Sequence, residues 1–235
     1  MKIACIVSGQ PRHPDKGLPG LMNFMEGIDV DYFVHHWLTP SDFNKTFSSC
    51  NADKSIWKVD QHTKELVIKL LSPKKYIFES QIHFTPEEDY ESRSETNQSS
   101  SDFMSMTFSK KKAFSLLKEY AENVNLDYDF VIVTRSDVRL NSKLLPILKE
   151  CDRNIFYTLS EPGSKWGSSH LNDPFVISSP ANIEHFCSLF DTFRDIWKSG
   201  IPLCGHRLAM AQMKIVDGLR FESILSKNEW SYIRS

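Results

Sequence analysis

The stretch Tyr128-Asp129-Phe130-Val131-Ile132-Val133-Thr134-Arg135-Ser136-Asp137-Val138 runs apolar and β-branched, then breaks into Arg-Ser-Asp. A short unbroken apolar run predicts a strand buried on both faces, as in a parallel sheet. Open α/β sheets bind ligands just beyond the carboxyl ends of such strands. A carboxylate there has to be paired or bound, because burying an isolated charge is costly. Asp137 therefore has two readings. It is a ligand for a metal or phosphate, or it is the partner of Arg135 in an ion pair that closes a turn.

The N-terminus repeats the design. Lys2-Ile3-Ala4-Cys5-Ile6-Val7 is a second apolar run, and Ser8-Gly9-Gln10-Pro11-Arg12 follows it. Gly9 permits close backbone approach, Ser8 and Gln10 offer hydrogen bonds, and Arg12 offers a fork for phosphate. The loop matches neither the dinucleotide fingerprint nor a P-loop. Asp29-Val30-Asp31-Tyr32-Phe33-Val34-His35 and Tyr76-Ile77-Phe78-Glu79 read as further strands, with helical patterns at 18–25 and 62–71. Pro73 stops the second of these helices.

Residues 85–102 are acidic and poor in large apolar groups, which predicts a mobile loop and a candidate lid. A long helix is expected over 103–124. Beyond the central strand, helices are expected at 142–150, 180–197 and 204–216, strands at 154–159 and 175–177, and a glycine-containing loop at 161–169. Alternating strands and helices predict an α/β domain with a mainly parallel sheet flanked by helices.

The 235 residues suit one domain over 1–235, with a nucleotide-binding part at 1–140 and an acceptor or catalytic part at 141–235. A net charge of −2 gives no bulk field to attract nucleic acid. No run approaches the ~20 apolar residues of a membrane span. The N-terminus lacks a signal-peptide layout, so a cytoplasmic location is expected. Five cysteines without a C-x-x-C pair argue for reduced thiols rather than structural zinc.

Three post-strand segments would converge on one crevice: 8–12, His35-His36-Trp37 and 135–137. Adjacent histidines on a strand point to opposite faces, so at most one of His35 and His36 enters it. Trp37 either stacks on a planar base or fills the core. Lys110-Lys111-Lys112 falls early in the long helix, where lysine opposes the macrodipole, suggesting an anionic partner. The segment 166–173 brings His170 and Asp173 close in sequence, a carboxylate and an imidazole suited to general-base work. His206 opens the last helical pattern as a further candidate ligand.

These motifs, in this order, resemble small GT-A-type glycosyltransferases of large algal viruses and bacterial polysaccharide clusters. The similarity lies in Val7-Ser8-Gly9-Gln10-x-Arg12, in Val30-Asp31-Tyr32-Phe33-Val34-His35-x-Trp37, and in Ser109-x2-Lys112-Ala113. It continues through Thr134-Arg135-x-Asp137 and Asn172-Asp173-x-Phe175. The resemblance implies a GT-A-like (Rossmann-like) fold and a nucleotide-sugar donor held through Mn²⁺ or Mg²⁺ by a D-x-D-type motif. The acceptor would be a glycan or glycoprotein. Carried over by position, Ser8, Gly9, Gln10, Arg12, Trp37, Lys112 and Arg135 would bind the donor. Asp137 would hold the metal and Asp173 would act as base; His206 as a second metal ligand and His170 as the fallback base are expectations from the residues themselves. The chain departs from the metal motif by carrying a single acid. A nucleotidyltransferase and a non-catalytic nucleotide- or sugar-binding module are the alternatives.

Overall fold

The computed structural model describes residues 1–48, 56–94, 99–159, 170–225 and 228–233. Its strands are β1 (Lys2–Gly9), β2 (Asp29–Trp37), β3 (Thr46–Ser48), β4 (Ile56–Lys58), β5 (Lys75–Glu79), β6 (Phe130–Thr134), β7 (Val138–Leu140), β8 (Ile155–Leu159), β9 (Phe175–Ser178), β10 (Arg220–Leu225) and β11 (Trp230–Tyr232). Its helices are α1 (Pro14–Phe24), α2 (Gln61–Leu71), α3 (Ser100–Val124), α4 (Leu144–Leu148), α5 (Pro180–Cys187), α6 (Leu189–Lys198) and α7 (Gly205–Lys214).

The main sheet has seven strands in the order β10-β8-β9-β6-β1-β2-β5. Only β9 runs against its neighbours; the other pairings are parallel. The expected mixed, mainly parallel α/β sheet is what forms. The apolar runs alternate between two cores. Ala4, Ile6, Val131 and Val133 pack under α3, α5, α6 and α7, while Ile3, Cys5, Val7, Phe130 and Ile132 pack on the α1–α2 side. Each fully buried Val or Ile contributes roughly 1.5–3 kcal/mol of transfer free energy. That is why the β1 and β6 runs occupy the sheet centre.

Local signals set the helix ends. The Asp60 carboxylate accepts from the amides of His62 and Thr63 at the start of α2, and Ser72 closes the helix in the left-handed region just before Pro73. In α1, a Cβ on Gly17 would lie 1.8 Å from the Ser136 carbonyl oxygen. Only glycine lets this helix run against the 135–137 turn, so Gly17 fixes the distance between the first loop and that turn.

Three expectations are revised. The 180–197 helix is two helices, broken at Ser188. Buried Gln212 of α7 donates to the His185 carbonyl and Ser188 Oγ, and accepts from Thr192 Oγ1. The acidic 85–102 segment is tied down through its described part. Tyr90 is 1% exposed and edge-on to Phe193 and Trp197, Arg93 stacks on Trp197, and Leu203 N–H donates to the Arg93 carbonyl. Finally, β3, β4, β7, β10 and β11 were not anticipated. The expected 161–169 loop lies outside the described residues. Among the described residues, no helix is long and apolar enough to cross a membrane, and the described cysteines form no disulfide.

Candidate functional site

The carboxyl edge of the sheet gathers the end of β1, the end of β2 and the β6–β7 turn, as the parallel register requires. Ser8 pairs with His35, Gly9 with His36, and Val7 with Thr134. Because β9 is antiparallel, Thr134 pairs with Phe175. This brings Asp173 alongside the turn that begins at Arg135.

At the β1 end, Gly9 has φ +98°, the left-handed conformation that favours glycine. Its N–H donates to Ser109 Oγ at 2.7 Å, and its carbonyl accepts from His36 Nδ1 at 2.8 Å. Ser109 Oγ also lies 2.8 Å from His35 Nδ1, while His35 Nε2 lies 3.0 Å from Glu79 Oε1. One proton assignment satisfies all of these contacts. Ser109 donates to Nδ1 of a neutral His35, and His35 Nε2–H donates to Glu79. Burial lowers the pKa of both histidines, and that of His36 falls to about 4. The Gln10 side-chain amide donates to Gln81, and the half-buried Arg12 lies 4.4 Å over the Trp57 ring. Ser8 is buried.

Trp37 is 5% exposed, its indole N–H reaching the Ser105 carbonyl and its ring stacked parallel to Phe108. This is the core-filling arrangement, with no open ring face described for a base. Of the lysine run, Lys111 pairs with Asp191 and Lys112 lies over Phe108. Lys110 turns inward. The helix starts at Ser100, so these lysines sit well inside it, where the macrodipole's end has little effect.

The other end is ionic. Arg135 grips Asp137 through Nε at 2.9 Å and an Nη at 2.5 Å, a bidentate pair. Asp137 is 5% exposed. The turn reading of this pair is therefore realised. Ser136 Oγ donates to the Arg12 carbonyl, linking the turn to the first loop. Lys110 Nζ donates to Asp173 Oδ2, and His206 Nδ1 lies 3.1 Å from Asp173 Oδ1 and 2.8 Å from the Leu171 carbonyl. Both His206 neighbours are acceptors, so Nδ1 carries the proton and forks it. Arg135 also feels the Asp173 charge.

Burial alone would raise the Asp173 pKa. Lys110 and His206 outweigh burial and hold it well below the usual carboxylate range. For His206 burial works against the charged ring, and the Asp173 carboxylate more than offsets it, so its pKa is raised. A carboxylate so held is a weak proton acceptor. His170 is half-buried, just before Leu171, whose N–H donates to the His206 carbonyl.

The expected divalent ion does not fit these side chains. Asp137 and His206 do not meet; each is committed to another partner. Among the described residues, no group of three or more His, Cys, Asp or Glu side chains could hold a metal. Mg²⁺ takes one or two carboxylates plus phosphate oxygens. Here each carboxylate already has its cation, and separating a buried pair costs roughly 3–5 kcal/mol.

Sequence reasoning overlooked Lys110 as the inward lysine. The signal was available: Phe103, Lys110, Phe114 and Leu117 fall on one helical stripe, and a lysine there has to find a buried anion. Trp57 beneath Arg12 and the Ser109 relay depend on contacts distant in sequence and gave no local signal.

No family model matches the chain, and no curated protein matches it in sequence. Its fold resembles that of the galactosyltransferase LgtC, solved in complex with donor and acceptor sugar analogs. The TM-score is 0.51 at 10% identity over 94% of this chain and 73% of that one. The glycosyltransferase GlyE of Streptococcus pneumoniae TIGR4, in its apo form, aligns with a TM-score of 0.48 at 12% identity, over 94% of this chain. The chain spans 44% of the length of GlyE. The likeness to LgtC shows the fold alone: a GT-A-like sheet, shared with glycosyltransferases.

Proposed function

We propose that the chain is a glycosyltransferase that moves a sugar from a nucleotide-diphosphate sugar to a hydroxyl of a glycan or glycoprotein. The observation that carries this reading is the gathering of Lys110, Arg135 and His206 at the carboxyl edge of a GT-A-like sheet. In such a transfer the bond from the anomeric carbon to the diphosphate oxygen breaks, and its electron pair stays on the diphosphate. The acceptor oxygen bonds to the anomeric carbon and gives up its proton. Fixed cations stabilise the charge that grows on the departing diphosphate.

In this reading residues 1–140 bind the nucleotide, with the Ser8–Arg12 loop against it and Arg12 as the loop's cation. Residues 141–235 carry the acceptor side. Asp173, held ionised beneath Lys110 and His206, is a weak proton acceptor, so His170 is the candidate base.

The test is incubation with a panel of nucleotide sugars and glycan acceptors, following product by mass spectrometry. Release of nucleoside diphosphate with sugar appearing on an acceptor is the expected result. Release of pyrophosphate would indicate nucleotidyl transfer instead. Binding without any turnover would reduce the chain to a recognition module.

A further inference from the structure

We infer that the donor's diphosphate is held by protein side chains, Arg135 and His206 with Lys110 behind them, and needs no divalent ion. The inference rests on the nucleotide-sugar reading above. It deepens that reading by naming what replaces the metal.

Three independent features point the same way. First, the turn after β6 carries Arg135 beside its only acid. Arg135 spends Nε and one Nη on Asp137, so the pair offers no net negative charge to an incoming dication. Second, Asp173 is compensated twice, by Lys110 at one oxygen and His206 at the other. A metal ion could use either carboxylate only by displacing a guanidinium, an ammonium or an imidazole from it. Third, Arg135 and His206 lie on the exposed side of their acids, with side chains 27% and 41% exposed against 6% for Asp137 and 9% for Asp173, so an incoming group meets nitrogen side chains before carboxylates.

Accessibility sorts the roles. Lys110 is 8% exposed in its side chain and Asp173 9%, so these two form the floor. The Arg135 side chain is 27% exposed and that of His206 is 41%, so these two can reach a ligand. Nδ1 of His206 is committed to Asp173 and the Leu171 carbonyl. Its Nε2 is the ring nitrogen left to face a phosphate oxygen. Arg135 is also anchored on the ring side by Tyr232 of β11, 5.4 Å from the guanidinium carbon. The fork is thus preorganised, which is the condition for strong oxyanion stabilisation. Lys110 acts here as a positioning residue, holding Asp173 so that Asp173 can hold His206.

Binding can be measured apart from turnover. Titration calorimetry of the full chain with UDP, GDP, CDP and ADP would be run in excess EDTA and again in Mn²⁺. The expected result is one preferred nucleoside diphosphate whose Kd differs by less than about threefold between the two conditions. His206→Gln, which keeps a side-chain donor for Asp173 but loses the imidazole, should weaken that binding about tenfold or more in EDTA, with melting temperature little changed. Arg135→Asp, which places a second acid beside Asp137, should abolish binding in EDTA and recover part of it in Mn²⁺. Should Arg135→Asp fail to fold, the wild-type comparison and His206→Gln decide alone. Wild-type binding that appears only with Mn²⁺ overturns the inference while leaving the nucleotide-sugar reading intact. An unaltered Kd in His206→Gln also overturns it. Failure of every nucleotide to bind in both conditions removes both readings.

Discussion

At the β1–β2–β5 end of the sheet edge, His35 and His36 are driven towards the neutral form; at the β6–β9 end, His206 is driven towards the charged form. The same side chain is driven in opposite directions within one crevice. At the first end His35 also has a carboxylate, the half-buried Glu79 at 3.0 Å, but burial is the dominant influence on both rings. At the second a buried carboxylate stands 3.1 Å away and outweighs burial. The neutral end fixes the backbone of the first loop, with Gly9 gripped at both N–H and carbonyl. The ionic end carries the charges available for chemistry. A scaffold that has to hold a loop still is best built from neutral hydrogen bonds, whose geometry survives changes in salt. A site that has to meet an anion needs its nitrogen donors, not its carboxylates, on the exposed side.

The largest effect is expected where the ionic end is broken on one side only. Asp173→Ala leaves Lys110 buried without its anion, and loss of a single partner from a buried pair costs about 3–5 kcal/mol. Urea unfolding should show this as a lowered midpoint with an unchanged slope. The double variant Lys110→Met with Asp173→Leu should regain most of that stability while remaining unable to turn over donor. If Asp173→Ala costs under about 1 kcal/mol, the pair is solvated and the two ends differ less than the geometry says.

The neutral end should break with acid. His36 has a folded pKa of about 4 against an ordinary 6.5, and charging it would bury an Nε2–H that has no partner among the described residues. Because the folded value is depressed, the unfolded chain binds the proton first. The stability is fully present above pH 6.5 and is lost progressively as pH falls towards about 4. At 1.36 kcal/mol per unit this amounts to about 3 kcal/mol, and His35, shifted the same way, adds to the loss. Stability measured from pH 7 to pH 4 should fall steeply in the native chain. It should fall less in His36→Phe, whatever that variant's starting stability.

How much of this could be read from the sequence differs between the two ends. The sheet was legible, because buried strands announce themselves locally: Ile3 to Val7 and Phe130 to Val133 carry no polar interruption. So were the positions of the site segments, since a loop after a buried strand has only one edge to reach. Pairings were not legible. Nothing in residues 135–137 decides between a metal ligand and an ion pair, because both put a carboxylate beside a cation. The choice is made by Lys110 and His206, far off in the chain, which satisfy Asp173 and leave the dication nothing to bind. The short edge and ribbon strands β7, β10 and β11 escaped notice because their burial comes from packing partners. In β10, for example, Arg220 and Glu222 are exposed while Leu225 is buried.

Ser109 tests whether the neutral relay matters to the loop. Ser109→Ala deletes the acceptor for the Gly9 N–H and the donor to His35 Nδ1, leaving buried polar groups unsatisfied at a cost of about 1–3 kcal/mol. Donor binding should weaken, because Gly9 then keeps only its His36 side-chain contact. Amide hydrogen exchange at Gly9 should speed up by a factor in line with the stability lost. Unchanged exchange there would mean that the His36 contact alone positions the loop.

The smallest effect should come from Lys111, and it sharpens the contrast most cleanly because Lys110 is its immediate neighbour. The α-helix turns the two side chains about 100° apart. Lys110 therefore falls on the buried stripe, while Lys111 pairs with Asp191 at 2.6 Å on a surface where both side chains are more than two-fifths exposed. Exposed pairs of this kind contribute about 0–1 kcal/mol, because water screens the attraction and two long side chains lose rotamer freedom. Lys111→Ala should therefore leave stability within about 1 kcal/mol of the parent and nucleoside diphosphate affinity within about twofold, whereas Lys110→Ala should fail on both counts. Equal losses from the two substitutions would show that the whole basic run acts as a diffuse field. The division of the crevice into a neutral scaffold and a localised ionic site would then have to be abandoned.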